Sequence, residues 1–386
     1  MVSPTGESPI LEDSVSNIVL FTPNIPDDAL SEISTTLSTR WIGQGPKVDI
    51  FETEFSKRFL GGNECISVNS GTSALHLSYI AAGIGEGDEV LCPVFTCTAT
   101  NIPLLYLKAK LVFVDIDLDT LNMSIQDLKN KISSKTKAIV VVHYGGLPAN
   151  MDEINKIAND NNILVINDNA HALGAIYKGK EIGLTSDFSM YSFQAIKHIT
   201  TGDGGMIGLN IDQIEKKDML KRIRWFGIDR ESKQGGVWEN DITEVGFKYQ
   251  MADIAASLGI AALRSFDNTL LHRIKLLKRY EELLDKNKDI KIIAKSNSDS
   301  QHASWLFTIR VKERRNLQRH LRDHNIESNQ VHFRNDRYSI FKNNSNANSE
   351  FPNMDDIEDE YLVLPLHTKM DLNHVDRVCQ TISRGW

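Results

Sequence analysis

Three short segments carry side chains whose types and spacing could do chemistry. Lys197 sits in Ser192-Phe193-Gln194-Ala195-Ile196-Lys197-His198, after an apolar run and before the glycine-rich Thr200-Thr201-Gly202-Asp203-Gly204-Gly205. A lysine there is placed for Schiff-base chemistry once its pKa is lowered; a solvated surface lysine is the plain alternative. Asp168 lies in Asn167-Asp168-Asn169-Ala170-His171, at the end of the run ILVI. A carboxylate at such a strand end could protonate and orient a heteroaromatic nitrogen, or it could cap a following helix. Ser70-Gly71-Thr72-Ser73 falls between a strand-like run and a helical one. A helix N-terminus offers free amides to a phosphate, and the glycine permits close approach. The same residues also read as an ordinary serine or threonine cap.

The elements that must position these residues follow from the hydrophobic pattern. Between about residues 65 and 210 the apolar runs CISVNS, VLCPVF, KLVFVDID, AIVVVHY, ILVINDN, FSMYSF and GMIGLN alternate with helical stretches such as SALHLSYIAAG and MDEINKIANDN. Runs rich in β-branched residues and poor in alternation suit strands buried on both faces, and strand–helix alternation predicts a mainly parallel α/β sheet. Near residue 265 the character changes. FDNTLLHRIKLLKRYEELLDK predicts a long helix, followed by the strand-like IKIIA and WLFTIRV and the helix RRNLQRHLRDHN, which together make an α+β unit. The expected fold is α/β: a large domain over 1–264 with a mainly parallel seven-stranded sheet, and a smaller C-terminal α+β domain over 265–386. Residues 1–20 read as a loose polar arm, about 27–39 as a helix, and the Asn/Ser-rich 342–356 as an exposed loop.

Bulk properties remove other classes. A net charge of -8 without a basic stripe argues against a nucleic-acid partner, so local cations must hold any anionic substrate. Cys65, Cys92, Cys97 and Cys379 show no metal-ligand spacing and are too few for a disulfide scaffold, which predicts no metal and a reducing compartment. With no signal-peptide pattern and no apolar stretch of membrane length, the expected location is the cytoplasm.

A phosphate cradle, an acid and a lysine, each at a strand end of one α/β domain, are what a pyridoxal 5'-phosphate site needs. The cofactor brings the electron sink, and the protein brings the phosphate grip, the pyridinium partner and the lysine. The sequence also resembles the DegT/DnrJ/StrS family of nucleotide-sugar aminotransferases, which have the aspartate aminotransferase fold. The likeness runs almost end to end through GPKVDIFETEF, VNSGTSALHLSYIAAGIGEGDEVLCPVFTCTAT, VFVDIDLDTLNM, KTKAIVVVHYGG, NDNAHALGA, YSFQAIKHITTGDGGMI, GFKYQMADIAASLG and LPLHTKM.

The resemblance implies that Lys197 bonds the cofactor, that Asp168 pairs with its ring nitrogen, and that His171 stands beside its ring hydroxyl. Backbone amides of Thr72 and Ser73 and the hydroxyl of Ser192 would hold its phosphate. Three positions depart from the family. Asn167 replaces a commonly acidic residue. Cys97 stands where an aromatic ring usually stacks on the cofactor; Phe95, two residues earlier and on the same face if the chain is a strand, is a substitute. Lys248 replaces an asparagine that reaches the phosphate from the neighbouring subunit.

In the small domain, Val331-His332-Phe333-Arg334-Asn335-Asp336-Arg337 is a candidate substrate segment, with His332 and Arg334 foremost, because arginine suits phosphate; a solvated strand-edge cluster is the alternative. The expected activity is transfer of an amino group from L-glutamate to a nucleotide-linked keto sugar, with a 4-keto-6-deoxy sugar favoured, in a homodimer with shared active sites. The rivals are a sugar dehydratase, against which Lys197 speaks because that subset has histidine there, and a non-catalytic binding relative.

Overall fold

The structure, a computed structural model, describes residues 16–238 and 241–386. All seven apolar runs become strands of one sheet: β1 (Cys65–Val68), β2 (Glu89–Pro93), β3 (Lys110–Val114), β4 (Thr136–Val142), β5 (Leu164–Asp168), β6 (Phe188–Ser192) and β7 (Gly205–Leu209). Their order is β1-β7-β6-β5-β4-β2-β3. Only β7 runs against its neighbours, pairing antiparallel with β1 and β6; the remaining neighbours are parallel. Parallel strands require crossovers, and the helices Gly71–Ala81, Thr98–Tyr106 and Met151–Asn161 lie in those connections. Buried clusters on the sheet faces explain why the strand sequences do not alternate.

A smaller antiparallel sheet follows, β8 (Lys291–Ile293), β9 (Phe307–Arg310) and β10 (Tyr361–Leu364), in the order β8-β9-β10. The helices Phe266–Leu284, Arg314–Asp323 and Leu372–Ser383 bury Leu276, Leu321 and Val378 in one core with Phe307 and Leu362. Asp371 starts the last of these helices with a capping box closed by His374. Among the described residues no helix is long and apolar enough to cross a membrane.

Two expectations change. Of the supposed arm, residues 1–15 lie outside the described residues, but Ile18 is buried and pairs in parallel with Ile326. The Leu20 amide donates to Glu327 at 2.7 Å. Such a short pairing leaves no periodicity for the sequence to show. The expected exposed loop over 342–356 holds only for 342–350, which is irregular and mostly exposed; the chain then forms the helix Pro352–Ile357, and Phe351 and Met354 are fully buried. Its asparagines serve the open edge of β3: the Phe113 amide donates to Asn346 Oδ1 at 2.6 Å, Asn346 Nδ2 donates to the Phe113 carbonyl at 3.1 Å, and the Leu111 amide donates to the Asn344 carbonyl at 2.8 Å. Polar composition here covers a sheet edge as well as facing solvent.

Candidate active site

Asp168 is the last residue of β5 and Ser192 the last of β6, so parallel pairing brings both to the carboxyl edge of the sheet. The chain then turns, and Lys197 projects from the loop that follows β6. Asp168 is buried; its Oδ2 accepts from Thr100 Oγ1 at 2.8 Å and its Oδ1 from the Ala170 amide at 3.0 Å. Burial raises its pKa, opposed by those two hydrogen bonds and by Lys197. Thr96 lies 2.9 Å from Thr100 and completes the polar file behind the carboxylate.

Lys197 keeps one flank open, yet the atoms around Nζ desolvate it and lower its pKa to about 7, against the pull of Cys97 and Asp168. At neutral pH a large share of the amine is therefore unprotonated, as a nucleophilic lysine requires. Its Nζ lies 3.5 Å from the ring centre of Trp305. The His171 ring stacks on the same indole at 3.9 Å, and His171 Nε2 is 3.2 Å from His332 Nε2. Both imidazoles have lowered pKa values through burial first and Lys197 next, His332 to about 3. With both rings neutral, a single proton serves the contact between the two Nε2 atoms.

The cradle is tightly built. Ser70 Oγ accepts from the Ser73 amide at 3.1 Å, so the capping reading of Ser70 is met. That directs the Ser73 amide at Ser70 and puts Gly71 and Thr72, which have no intrahelical partner, at the open helix end. A Cβ on Gly71 would lie 2.9 Å from Ser192 Cβ and 3.0 Å from its Oγ. A Cβ on Gly205 would lie 2.4 Å from the Ser70 carbonyl oxygen. Glycine at both places lets the helix start approach the end of β6 and the start of β7.

The other expected residues fare differently. Cys97 is exposed at the N-terminus of the helix Thr98–Tyr106, within electrostatic reach of Lys197. Phe95 is no substitute for an aromatic there. Strand β2 ends at Pro93, so strand alternation does not link the two positions, and Phe95 is buried against Tyr144 and Tyr361 with ring centres 5.3 and 5.0 Å away. Lys248 is exposed and holds its Nζ 5.1 Å from the Phe226 ring centre; its carbonyl accepts from Asn69, one residue before the cradle.

Asn167 is buried and donates to Thr185 Oγ1 at 3.0 Å, away from the site chemistry. Arg334 overturns the expectation of a substrate arginine. Its guanidinium is buried and taken by Asp336 at 2.8 and 2.9 Å, by Glu358 at 2.9 Å and by Asp355. The segment does wall the site through His332 and through Asn335, whose Nδ2 donates to the Thr96 carbonyl at 2.8 Å.

Sequence reasoning missed Thr100 and Trp305. Thr96 and Thr100 share helical i, i+4 spacing in FTCTAT, which was a usable signal. Trp305 opens WLFTIRV and is indistinguishable in sequence from a core residue.

A lysine of lowered pKa beside a buried carboxylate, facing a helix N-terminus that glycine keeps open, fits pyridoxal phosphate. So does the buried His171 Nδ1, which has no hydrogen-bond partner among the described residues. Fold and site together define a pyridoxal-phosphate-dependent enzyme of the aminotransferase type. Comparison with known proteins gives the particular group. Residues 23–383 match the model of the DegT/DnrJ/EryC1/StrS aminotransferase family, and the chain belongs to that family.

Its relatives include the spore coat polysaccharide biosynthesis protein SpsC of Bacillus subtilis, 32% identical over 93% of this chain and 95% of that one. GDP-perosamine synthase of Escherichia coli O157:H7 is 30% identical over 95% and 98%. The crystal structure of the sugar aminotransferase CalS13 from Micromonospora echinospora superposes with a TM-score of 0.89 at 31% identity, covering 96% of this chain and 100% of its own. The family is pyridoxal-phosphate-dependent, and this chain is one of its sugar aminotransferases.

Proposed function

We propose that the protein moves an amino group from L-glutamate to a nucleotide-linked keto sugar, a 4-keto-6-deoxy sugar by preference, in making amino sugars for surface polysaccharide or glycan. It acts as a homodimer in the cytoplasm, with active sites shared between subunits. The observation that carries this reading is the Lys197 amine, poised near neutrality beside Asp168 at the carboxyl ends of β5 and β6. A relative that is a GDP-perosamine synthase and one named for spore coat polysaccharide biosynthesis support the substrate class.

The bound cofactor supplies the electron sink for charge that develops on the reacting carbon. Lys197 Nζ would carry a proton from the α-carbon of the donor to the cofactor and, in the second half-reaction, one from the cofactor to the sugar carbon. Asp168 would keep the ring nitrogen protonated by an ion pair that burial strengthens, and Thr100 fixes the orientation of the carboxylate. The amides of Gly71 and Thr72, with Ser192 Oγ, would hold the phosphate, and His171 Nδ1 would meet the ring hydroxyl. A dehydratase reading is disfavoured by the lysine itself, since an amine that can bond the cofactor stands at the reactive position.

The test is a panel of nucleotide keto sugars incubated with the cofactor-loaded protein and L-glutamate. The expected result is 2-oxoglutarate formed in step with an aminated sugar nucleotide, and borohydride reduction that fixes the cofactor on Lys197. A dehydrated product in place of the amine, or an adduct mapped to another lysine, overturns the reading.

A further inference from the structure

Trp305 is buried, and its indole touches three parts of the site at once. Its Nε1–H donates to the carbonyl of Ile196, the residue before Lys197, at 3.2 Å. Lys197 Nζ stands 3.5 Å from its ring centre, and the His171 ring stacks on it at 3.9 Å with planes 19° apart. We propose that Trp305 is a positioning residue of this site: one indole ties down the Lys197 loop, carries the lysine amine on its face, and braces the His171 imidazole. The inference rests on the reading of Lys197 as the reactive lysine and deepens it.

The way the indole is held supports this. Ser304, immediately before it, has φ of +56°, a left-handed conformation that a serine adopts only where its surroundings enforce it. Here they do. Arg273 Nε donates to the Ser304 carbonyl at 3.1 Å and Arg273 Nη2 to the Trp305 carbonyl at 3.3 Å. From the other side, the amides of Trp305 and Leu306 both donate to the Gly145 carbonyl at 3.0 Å. Arg273 is itself buried and makes no ion pair with a carboxylate among the described residues, so its hydrogen bonds go to this turn. Backbone strain held in place by a buried guanidinium, next to a reactive lysine, is more than an apolar core needs.

The chemistry follows from the ring. An aromatic face attracts an ammonium more than a neutral amine, most strongly for indole. Trp305 therefore gives the lysine a defined resting place when it is not bonded to the cofactor. The other groups that act on Lys197 are Asp168 and Cys97, which favour its charged form, and Arg273, which disfavours it. The neutral imidazoles of His171, His198 and His332 surround it and are themselves disfavoured from charging by it.

The test uses cofactor-stripped protein, so it does not depend on turnover. Lys197 is labelled competitively with acetic anhydride across a pH series, and its titration midpoint is read by peptide mass spectrometry in wild type, Trp305→Met and Trp305→Phe. Methionine fills the space without a π face, and the midpoint is expected to fall by about one pH unit. Phenylalanine keeps a weaker face and should shift the midpoint the same way by less. Lacking the N–H to Ile196, the Phe variant should also capture added pyridoxal phosphate more slowly than wild type.

An unchanged or raised midpoint in both variants, with native circular dichroism, overturns the proposal. If the Met variant does not fold, the midpoint of the Phe variant decides by the same criterion. An unmoved midpoint together with a borohydride adduct on Lys197 defeats this inference alone. An adduct elsewhere defeats the functional reading instead.

Discussion

Gly71→Ala separates packing from function at the cradle. The backbone of Gly71 is helical, so no conformational strain arises, and alanine is favoured over glycine inside a helix by up to about 1 kcal/mol. Against that, the new Cβ lies 2.9 Å from Ser192 Cβ, 3.0 Å from its Oγ and 3.4 Å from its Cα. Overpacking of this kind costs about 1–3 kcal/mol, so the net loss of folding stability is about 0–3 kcal/mol, at most several degrees in Tm. The structure can relieve the contact by pushing Ser192 away from the helix start. That removes a hydroxyl from the phosphate, and a hydrogen bond to a charged group is worth about 1.5–3 kcal/mol. Cofactor affinity should fall roughly 10- to 150-fold. Titrating pyridoxal phosphate into stripped protein, with Tm measured in parallel, distinguishes the two effects. Gly43→Ala, where a Cβ meets nothing within 4 Å, is the control. If Gly71→Ala binds the cofactor as tightly as wild type, the helix start and Ser192 do not form one phosphate site, and the reasoning fails.

Two further predictions concern charge. Asp168→Asn should slow both half-reactions strongly, because an amide cannot hold the ring nitrogen protonated, yet it should stabilise the stripped protein at neutral pH. The folded-state pKa of Asp168 is raised by burial, so wild type loses stability as pH rises above the unfolded value near 4, and the Asn variant does not. Thermal melts against pH should therefore converge in acid; parallel curves at all pH values would refute the argument.

For Lys248, Lys197→Ala and Lys248→Ala protein should be mixed under mild denaturation. If Lys248 serves the site of the other subunit, activity should return towards about a quarter of wild type, since about half the dimers are mixed and each regains one site. No recovery would put Lys248 in its own chain's site, and full activity of Lys248→Ala alone would make it a surface residue.

The large sheet was legible because strands buried on both faces leave unbroken apolar runs. Each of the seven runs from CISVNS to GMIGLN became a strand. Lys197, Asp168 and Ser192 could be placed together because parallel strands bring their carboxyl ends to one edge. What escaped was whatever depends on distant partners. The role of Arg334 is decided by Asp336, Asp355 and Glu358, and only the first lies in the same short segment. A guanidinium that could meet phosphate looks identical in sequence to one already neutralised. Trp305 is set by Arg273, Gly145 and Ile196, each far away along the chain. The asparagines at 344 and 346 looked like loop composition because the bare edge they cover, β3, lies more than two hundred residues earlier.

The pairing of residues 18–20 with the far end of the chain bears on synthesis. Leu20 and Glu327 are separated by 307 positions. At about 5–20 residues per second, a ribosome needs roughly 15–60 s to deliver the partner after Leu20 has been made. The large sheet, by contrast, has all its strands by Leu209. On the ribosome the sheet can therefore assemble while Ile18 and the Leu20 amide still lack their partners at 325–327. Ile18 must stay out of every intermediate core and docks only when Leu321, Ile326 and the helix Leu372–Ser383 arrive to enclose it, whereas Leu20 packs in the core of the large sheet.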